Sequence, residues 1–288
     1  MILLAGGTGL LGTRVAATLA TAGRPVRVLT RDARRAAHLP PSTVDIVEGD
    51  VRDRAAVRRA MSDASVVVSA VQGFGGSQAD GVRAVDGDGN QNLIAEAVAA
   101  GVQHFVLVSV QGAAAEHPIG LFRAKYAAEQ RLIGSGLAWT VIRPTAFMQT
   151  WLNLLGSSTP MRIFGRGENP INFVSADDVA AIVALAVTDP RMRGETVEVA
   201  GPHNLTFNQF ARITQQARGQ SGPVRHVPRP MMRAAALLLR PVRPTLAAQI
   251  GAGLVMDTYP MTCDPSALSQ RWPDLPRTTL AELAAGSR

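Results

Sequence analysis

MILLAGGTGLLG, residues 1–12, opens the chain and decides its fold. An apolar run over 1–5 predicts a buried strand, and Gly6, Gly9 and Gly12 follow it at intervals of three. Without Cβ atoms, these glycines let the backbone turn sharply, let a pyrophosphate lie against it, and seat a helix close to the strand. The N-terminus of that helix adds unpaired N–H groups and a partial positive charge, which suit a phosphate.

The context on both sides of this turn favours dinucleotide binding over a purely structural turn. An apolar strand precedes the glycines, and an Ala-rich helix over 14–22 follows them. The residues expected to contact the dinucleotide here are Gly6, Thr8, Gly9, Leu10, Leu11 and Gly12.

Composition and charge narrow the class of protein. The chain has 288 residues, of which 47% are hydrophobic, so it is long and apolar enough for a globular α/β fold. Cys263 is the only cysteine, which excludes a disulfide within the chain and a zinc site built from cysteines. Met1 enters the first strand without a secretory signal, and no uncharged apolar stretch has the length of a membrane span. We therefore expect a cytoplasmic protein.

Strand and helix patterns alternate six times from the first strand to Pro144, and the last helix before the fifth strand is expected over 86–100. This alternation predicts an α/β fold, a Rossmann-type doubly wound parallel sheet with helices on both faces. After a loop-like stretch over 151–169, helices separated by prolines predict a small, mostly helical C-terminal lobe. The expected domains are a Rossmann core over 1–152, to which 171–201 returns, and a substrate or lid lobe over 153–170 and 202–288.

The end of the second strand, predicted over 25–31, indicates the cofactor. An acidic residue there bonds the ribose of NAD, whereas an arginine accommodates the 2′-phosphate of NADP. Arg31 stands at this end and Arg35 follows one turn later, so we expect NADP(H), with NAD(H) favoured only if Asp32 points to the ribose. Four residues at later strand ends are expected near the adenosine by geometry alone: Asp50, Val51, Ala70 and Val71.

Lys125 is the only lysine, so the other 28 of the 29 basic residues are arginines. A partly buried lysine can act in proton transfer, which an arginine cannot. Ser109 ends the fifth strand sixteen residues earlier. Lys125 is therefore a candidate for the catalytic end of the site, whereas Ser109 becomes one only through a family resemblance.

An ordered set of motifs resembles the atypical, NmrA-like branch of the short-chain dehydrogenase/reductase superfamily over residues 1 to about 202. The set comprises the glycine turn, Arg31, Gly49-Asp50, GVQHFVLVS at 101–109, Lys125 with Glu129, SGLAWTVIRP at 135–144, Asp178-Val179-Ala180 and Ala200-Gly201-Pro202.

The resemblance implies roles for both candidates. In that superfamily a serine at the position of Ser109 holds a substrate oxygen, and a tyrosine four residues before the lysine exchanges the proton. The lysine bonds the nicotinamide ribose and lowers the pKa of that tyrosine. Here Leu121 stands at the tyrosine position, and Tyr126 points about 100° away from Lys125 on a helix. Atypical members often lack the tyrosine; some use the lysine, and others bind the nucleotide without known turnover. Lys125 is thus a proton donor or a ribose anchor, and a surface lysine is the third alternative.

The substrate end is expected beyond the sixth strand. Pro144 should flank the nicotinamide, and Phe147, Met148 and Trp151 would line an apolar pocket, although core packing explains them equally well. His117 is either an acid near neutral pH or a loop residue.

The segment 199–256 contains no acidic residue and holds seven arginines, all within 212–243. A helix over 230–239, rich in Met, Ala and Leu, would either contact anionic lipid or a partner protein, or form a lid over the cofactor cleft. Nucleic acid is not expected as a partner, because aromatic residues are scarce.

These observations predict an NADPH-dependent oxidoreductase that transfers hydride to a small apolar carbonyl, quinone or conjugated double bond. The alternative is an NADP(H)-binding redox sensor or assembly protein without turnover, which the missing tyrosine favours. A nucleotide-sugar epimerase fits less well, because those enzymes also need the tyrosine.

Overall fold

The computed structural model describes residues 1–37, 39–74, 81–156 and 160–286. It divides into two compact units. Unit 1 comprises Met1–Arg143 and Val179–Glu198, and unit 2 comprises Pro144–Asp178 and Val199–Arg288.

Unit 1 is built on a seven-stranded sheet. Its strands are β1 (Ile2–Ala5), β2 (Val26–Thr30), β3 (Val44–Glu48), β4 (Val66–Ser69), β5 (His104–Val108), β6 (Trp139–Pro144) and β10 (Glu195–Val199). The spatial order is β10-β6-β5-β4-β1-β2-β3, and the pairs from β3 through β6 are parallel. The chain therefore winds outward from β1 in one direction and from β4 in the other. Such a switch point opens a crevice at the carboxyl ends of the two central strands.

The helices of unit 1 separate these strands and confirm the Rossmann-type, doubly wound fold. They are α1 (Leu10–Thr21), α2 (Arg54–Ala60), α3 (Asn90–Ala99), α4 (Gly120–Ile133) and α6 (Ala176–Thr188), with short 3-10 helices at Ala33–Ala36 and Pro190–Met192. The inner strands are mostly buried because helices cover the sheet, which accounts for their largely apolar sequences, whereas the edge strands β3 and β10 are partly exposed. One expectation needs correction: the helix predicted over 86–100 is α-helical only from Asn90, and Val82–Gly89 forms a π-helix.

Unit 2 contains the mostly helical C-terminal lobe and two small sheets. The sheets comprise β7 (Ala146–Phe147), β9 (Ile171–Val174) and β11 (Asn204–Leu205), and β8 (Arg162–Phe164) with β12 (Arg225–Val227). The helices are α5 (Met148–Gly156), α7 (Phe207–Ala217), α8 (Arg229–Leu239), α9 (Pro244–Met256), α10 (Ala267–Arg271) and α11 (Leu280–Gly286).

One expectation about unit 2 is corrected by these elements. The first turns of the stretch 151–169 are helical, because Met148, Leu152 and Leu155 recur at helical spacing and bury one face of α5 in the core. In the segment 171–201, β10 joins the large sheet as expected, and β9 pairs in parallel with β7.

Candidate functional site

The glycine turn after β1 is closed by backbone contacts that leave no room for a side chain at Gly6 or Gly12. Gly6 has a φ of +85°, and a Cβ placed on it would lie 2.6 Å from the carbonyl oxygen of Ala70. A Cβ on Gly12 would lie 2.1 Å from the carbonyl oxygen of Gly6, so the first turn of α1 rests directly on the glycine turn. The turn itself is held by a 3.1 Å hydrogen bond that the Gly9 amide donates to the Gly6 carbonyl.

The N-terminus of α1 is open to a ligand. Gly9 is its N-cap, no side chain caps it, and its first turn contains no acid. By contrast, Asp53 caps α2 by accepting a hydrogen bond from the Ala55 amide. The first amides of a helix have no partner within the helix, so the amides of α1 fit a phosphate. Of the other expected contacts, Leu11 is buried beneath the turn, and the Thr8 hydroxyl lies 3.3 Å from that of Thr30.

The end of β2 carries two exposed arginines, and an aspartate that is already paired with a third arginine. The Asp32 carboxylate caps the following 3-10 helix and accepts hydrogen bonds from the amide and guanidinium of Arg34. These bonds from Arg34 hold the pKa of Asp32 below its usual value. Arg31 and Arg35 have no ion-pair partner among the described residues, and both are exposed. The arrangement leaves cations, not a carboxylate, available to a 2′-phosphate.

The expected adenine end is formed by the residues after β3 and β4. The Asp50 carboxylate pairs with Arg52 at 2.7 Å, and hydrogen bonds from Arg52, with a smaller effect of the Arg31 charge, lower the pKa of Asp50. Val51 is buried, and its carbonyl accepts a hydrogen bond from Asn92. Asp50 is therefore an ionised, positioned carboxylate at the strand end.

Lys125 is buried in unit 1, where its ammonium group contacts two backbone carbonyl oxygens and a carboxylate. Nζ donates to the carbonyl oxygens of Val71 at 2.8 Å and Val108 at 3.1 Å, and it lies 3.1 Å from Oδ1 of Asp86. The two carbonyls follow β4 and end β5, so the lysine joins neighbouring strand ends. It is not a surface lysine.

Asp86 is a site residue that the sequence reasoning missed. Its side chain is fully buried, and Oδ2 accepts a hydrogen bond from the Gly73 amide at 2.8 Å. Its own carbonyl accepts from Asn90, whose side-chain oxygen accepts a 2.6 Å hydrogen bond from Ser69. A signal was available: a single buried lysine requires a buried carboxylate, because an uncompensated charge is costly in the interior.

Ser109 carries a buried hydroxyl group with no hydrogen-bond partner in the described part of the chain. Its backbone is fixed by a 2.7 Å bond from its amide to the carbonyl of Ile142. A buried, unpaired hydroxyl costs about 1–3 kcal/mol, so such groups suggest a partner that arrives with a ligand.

His117 lies just before α4, and Leu121 lies in its first turn. His117 stacks on Phe122 with the ring centroids 4.0 Å apart, and its Nδ1 accepts a hydrogen bond from the Ile119 amide. Burial lowers the pKa of His117, so the ring is neutral at pH 7. Leu121 is buried and apolar, and the half-buried Tyr126 follows Lys125 on another face of α4. Position 121 itself therefore carries no hydroxyl group.

The residues expected at the substrate pocket after β6 belong to unit 2. Met148 is buried in the core of that unit, and Trp151 packs against it, with its ring centroid 4.6 Å from that of Phe207. Core packing therefore accounts for both residues. Phe147 is half-buried in β7, and Pro144 is buried at the end of β6.

A profile of a protein family described as NAD(P)H-binding matches residues 6–190, which include the glycine turn, Ser109 and Lys125. The chain belongs to this NAD(P)H-binding family. The resemblance to the atypical short-chain dehydrogenase/reductase superfamily is thereby confirmed, and so is a pyridine nucleotide as its cofactor class.

Two curated relatives of this NAD(P)H-binding protein are reductases. The NAD(P)H azoreductase of Xenophilus azovorans is 33% identical over 232 residues, which cover 79% of this chain and 76% of the relative. The (4-alkanoyl-5-oxo-2,5-dihydrofuran-3-yl)methyl phosphate reductase of Streptomyces griseus is 32% identical over 231 residues, covering 78% and 76%. The NADPH-dependent quinone oxidoreductase QOR2 of Escherichia coli, solved with NADPH, shares the fold at a TM-score of 0.81, with 23% identity over 99% of both chains.

Proposed function

We propose that this NAD(P)H-binding protein is an NADPH-dependent reductase that acts on a small, apolar two-electron acceptor: a carbonyl compound, a quinone or a conjugated double bond. The observation that carries the proposal is the glycine turn, with its Cβ-excluding contacts and the uncapped helix behind it. The reductases among the relatives support the reaction class.

The residues present fit the dinucleotide. Gly6, Gly9 and Gly12 would hold the pyrophosphate against the amides of α1, and Arg31 and Arg35 would hold the 2′-phosphate. Since Arg34 already neutralises Asp32, the preference is for NADPH over NADH. When bound, the dinucleotide supplies the hydride. The residues 153–170 and 202–288 would provide the substrate lobe.

Lys125 and Ser109 would serve the reacting end in different ways. The ammonium group of Lys125 is held by Asp86 and by carbonyl oxygens at the ends of β4 and β5. We assign it the role of fixing these two strand ends and of supplying positive charge there. The free hydroxyl of Ser109 would donate a hydrogen bond to the substrate oxygen. His117, neutral and stacked, would contribute a wall of the pocket.

The absent tyrosine narrows the substrate class. Reduction of a simple ketone creates a strongly basic alkoxide, which needs an acid beside it. Reduction of a quinone creates a phenolate, and addition to an enal creates an enolate; both are weaker bases that take a proton from water. Leu121 in place of the tyrosine therefore favours quinones and conjugated acceptors over simple ketones.

The test is a titration with NADPH and NADH, followed by NADPH oxidation assays with a quinone, an enal and cyclohexanone. We expect NADPH to bind at least about tenfold more tightly than NADH, and turnover with the quinone and the enal but not with cyclohexanone. Tight NADPH binding without turnover on any acceptor would support the redox sensor or assembly protein instead.

Ser109→Ala provides a sharper check on the reacting end. Because the hydroxyl has no partner, its removal should leave the thermal stability unchanged or higher, while kcat/KM falls about tenfold or more. Ser69→Ala is the matched comparison, because that hydroxyl bonds Asn90 and its loss should lower stability. A fall in stability without a fall in kcat/KM for Ser109→Ala would contradict the assigned role.

No helix among the described residues is long and apolar enough to cross a membrane. The cytoplasmic location stays a prediction.

A further inference from the structure

The outward side of α8 in unit 2 is apolar. Met231 is 62% exposed, Leu237 70% and Leu238 74%, and Val242 in the turn that follows is 77% exposed. The opposite side of the helix packs on α9, with Met232 buried. We call the four exposed residues, Met231, Leu237, Leu238 and Val242, the α8 stripe. A helix that is apolar on both sides needs a partner for its second side, because water disfavours a contiguous apolar stripe.

Positive charge borders the α8 stripe. Arg233, Arg240 and Arg243 are exposed beside it, and no acid occurs anywhere in the sequence from 199 to 256. Apolar side chains flanked by arginines on a short helix and in the turn after it match the composition of segments that lie in the headgroup region of an anionic bilayer.

A cleft of about 700 Å³ at the N-terminal end of α8 extends this positive surface. It is lined by Arg166, Arg229, Arg233 and His226, with Glu168 as its one acidic lining residue. The buried Asp257 holds Arg229 in place. Arg166 and Arg233 have no ion-pair partner within the described ranges, so both remain available to phosphate groups.

We propose that the α8 stripe and its arginines dock on the surface of an anionic phospholipid bilayer. The inference goes beyond the reductase activity and does not depend on it. The charge decides between the two simplest occupants of the stripe. A second copy of the chain, related by a two-fold axis, would bring the same arginines face to face, whereas anionic lipid neutralises them.

The experiment is co-sedimentation of the full chain with vesicles of phosphatidylcholine alone and of phosphatidylcholine with phosphatidylglycerol at 3:1. We expect binding to the anionic vesicles, at least tenfold weaker binding to the neutral ones, and progressive release with salt. The double variant Leu237→Asp/Leu238→Asp should bind anionic vesicles at least tenfold more weakly than the wild type. Arg240→Gln/Arg243→Gln should lose roughly tenfold or more, because each arginine near the surface contributes to the attraction.

The matched control is Val98→Asp/Ile133→Asp, which places the same charges at exposed apolar positions in unit 1. It should bind vesicles within about threefold of the wild type. Equal binding of both Asp pairs, equal binding to neutral and anionic vesicles, or no binding to either would overturn the proposal. A dimer in analytical ultracentrifugation that Leu237→Asp/Leu238→Asp abolishes, with no vesicle binding, would assign the stripe to a second copy. Thermal unfolding of each variant establishes that it is folded.

Discussion

Replacing Gly9 with alanine separates the stability of the glycine turn from its use as a binding surface. A Cβ at Gly9 would lie 3.4 Å from the Gly6 carbonyl oxygen, which is an ordinary contact, and its φ of −86° and ψ of 175° suit alanine. The remaining cost is the poorer fit of alanine as an N-cap, about 1 kcal/mol or less. In a chain of this length, that lowers the Tm by about 2 °C.

The same methyl group would stand where we place the pyrophosphate, whose close approach requires a bare backbone. Losing one charge-assisted hydrogen bond to the phosphate costs about 1.5–3 kcal/mol. We therefore expect the Kd for NADPH to rise roughly ten- to a hundredfold in Gly9→Ala. The measurement is an NADPH fluorescence titration beside a thermal unfolding curve.

Alanine substitutions at two further glycines serve as controls for Gly9→Ala. Gly134→Ala, at the end of α4, places a Cβ 3.4 Å from the Gln130 carbonyl, so it has the same contact and should change neither stability nor binding. Gly12→Ala places one 2.1 Å from the Gly6 carbonyl, more than 1 Å inside an ordinary contact, and should lose about 1–3 kcal/mol of stability as well as binding. If Gly9→Ala binds NADPH like the wild type, no pyrophosphate lies on this turn, and the assignment of the site is refuted.

Three other predictions address charges in unit 1. Arg31→Gln should weaken NADPH binding by about tenfold and leave NADH binding unchanged, as measured by parallel titrations; an equal loss for both would place Arg31 away from the 2′-phosphate. Lys125→Met should lower the free energy of unfolding by about 3–5 kcal/mol, because it leaves the Asp86 carboxylate buried without its partner. The double variant Lys125→Met/Asp86→Leu should recover most of that loss in urea unfolding. Additive losses from the two substitutions would contradict the pairing. Burial, with the nearby Arg193, lowers the pKa of His104 to about 4. The folded protein therefore loses stability as the pH falls from 6.5 towards 4, because the unfolded state takes up the proton first. The loss is about 2 kcal/mol after allowance for solvent screening. His104→Gln, which keeps a donor to Thr140, should lose that part of the pH dependence in urea unfolding at pH 7 and 4.5.

The Rossmann-type sheet was predictable because its signals are local. Residues 1–12 specify a strand, a turn and a helix start within one short stretch, and each later strand up to β6 is an apolar run bounded by turn residues. The motifs that indicated the family lie at strand ends, where parallel topology collects them at one edge. The glycine at position 12 also has a specific structural reason that the spacing indicated: a Cβ there would lie 2.1 Å from the Gly6 carbonyl oxygen.

The parts that escaped prediction depend on contacts distant in sequence. The π-helix at Val82–Gly89 changes which residues face inward, and only the fold shows that Asp86 meets a lysine 39 positions later. Helix α5 was obscured because glycine and proline signals after 156 outweighed a short apolar pattern before it. The pairing of Asp32 with Arg34 likewise could not be predicted, since both Arg31 and Asp32 fit the sequence pattern of a ribose contact.

Because Lys125 is buried, its side-chain amine reacts slowly with amine-directed reagents while the chain is folded. Lys125 is 4% exposed and donates hydrogen bonds to two backbone carbonyls, so acylating labels and cross-linkers reach its amine poorly while the protein is folded. Acylation of that side chain would therefore report opening of unit 1, and its rate would follow the fraction of molecules in which the strand ends of β4 and β5 have separated.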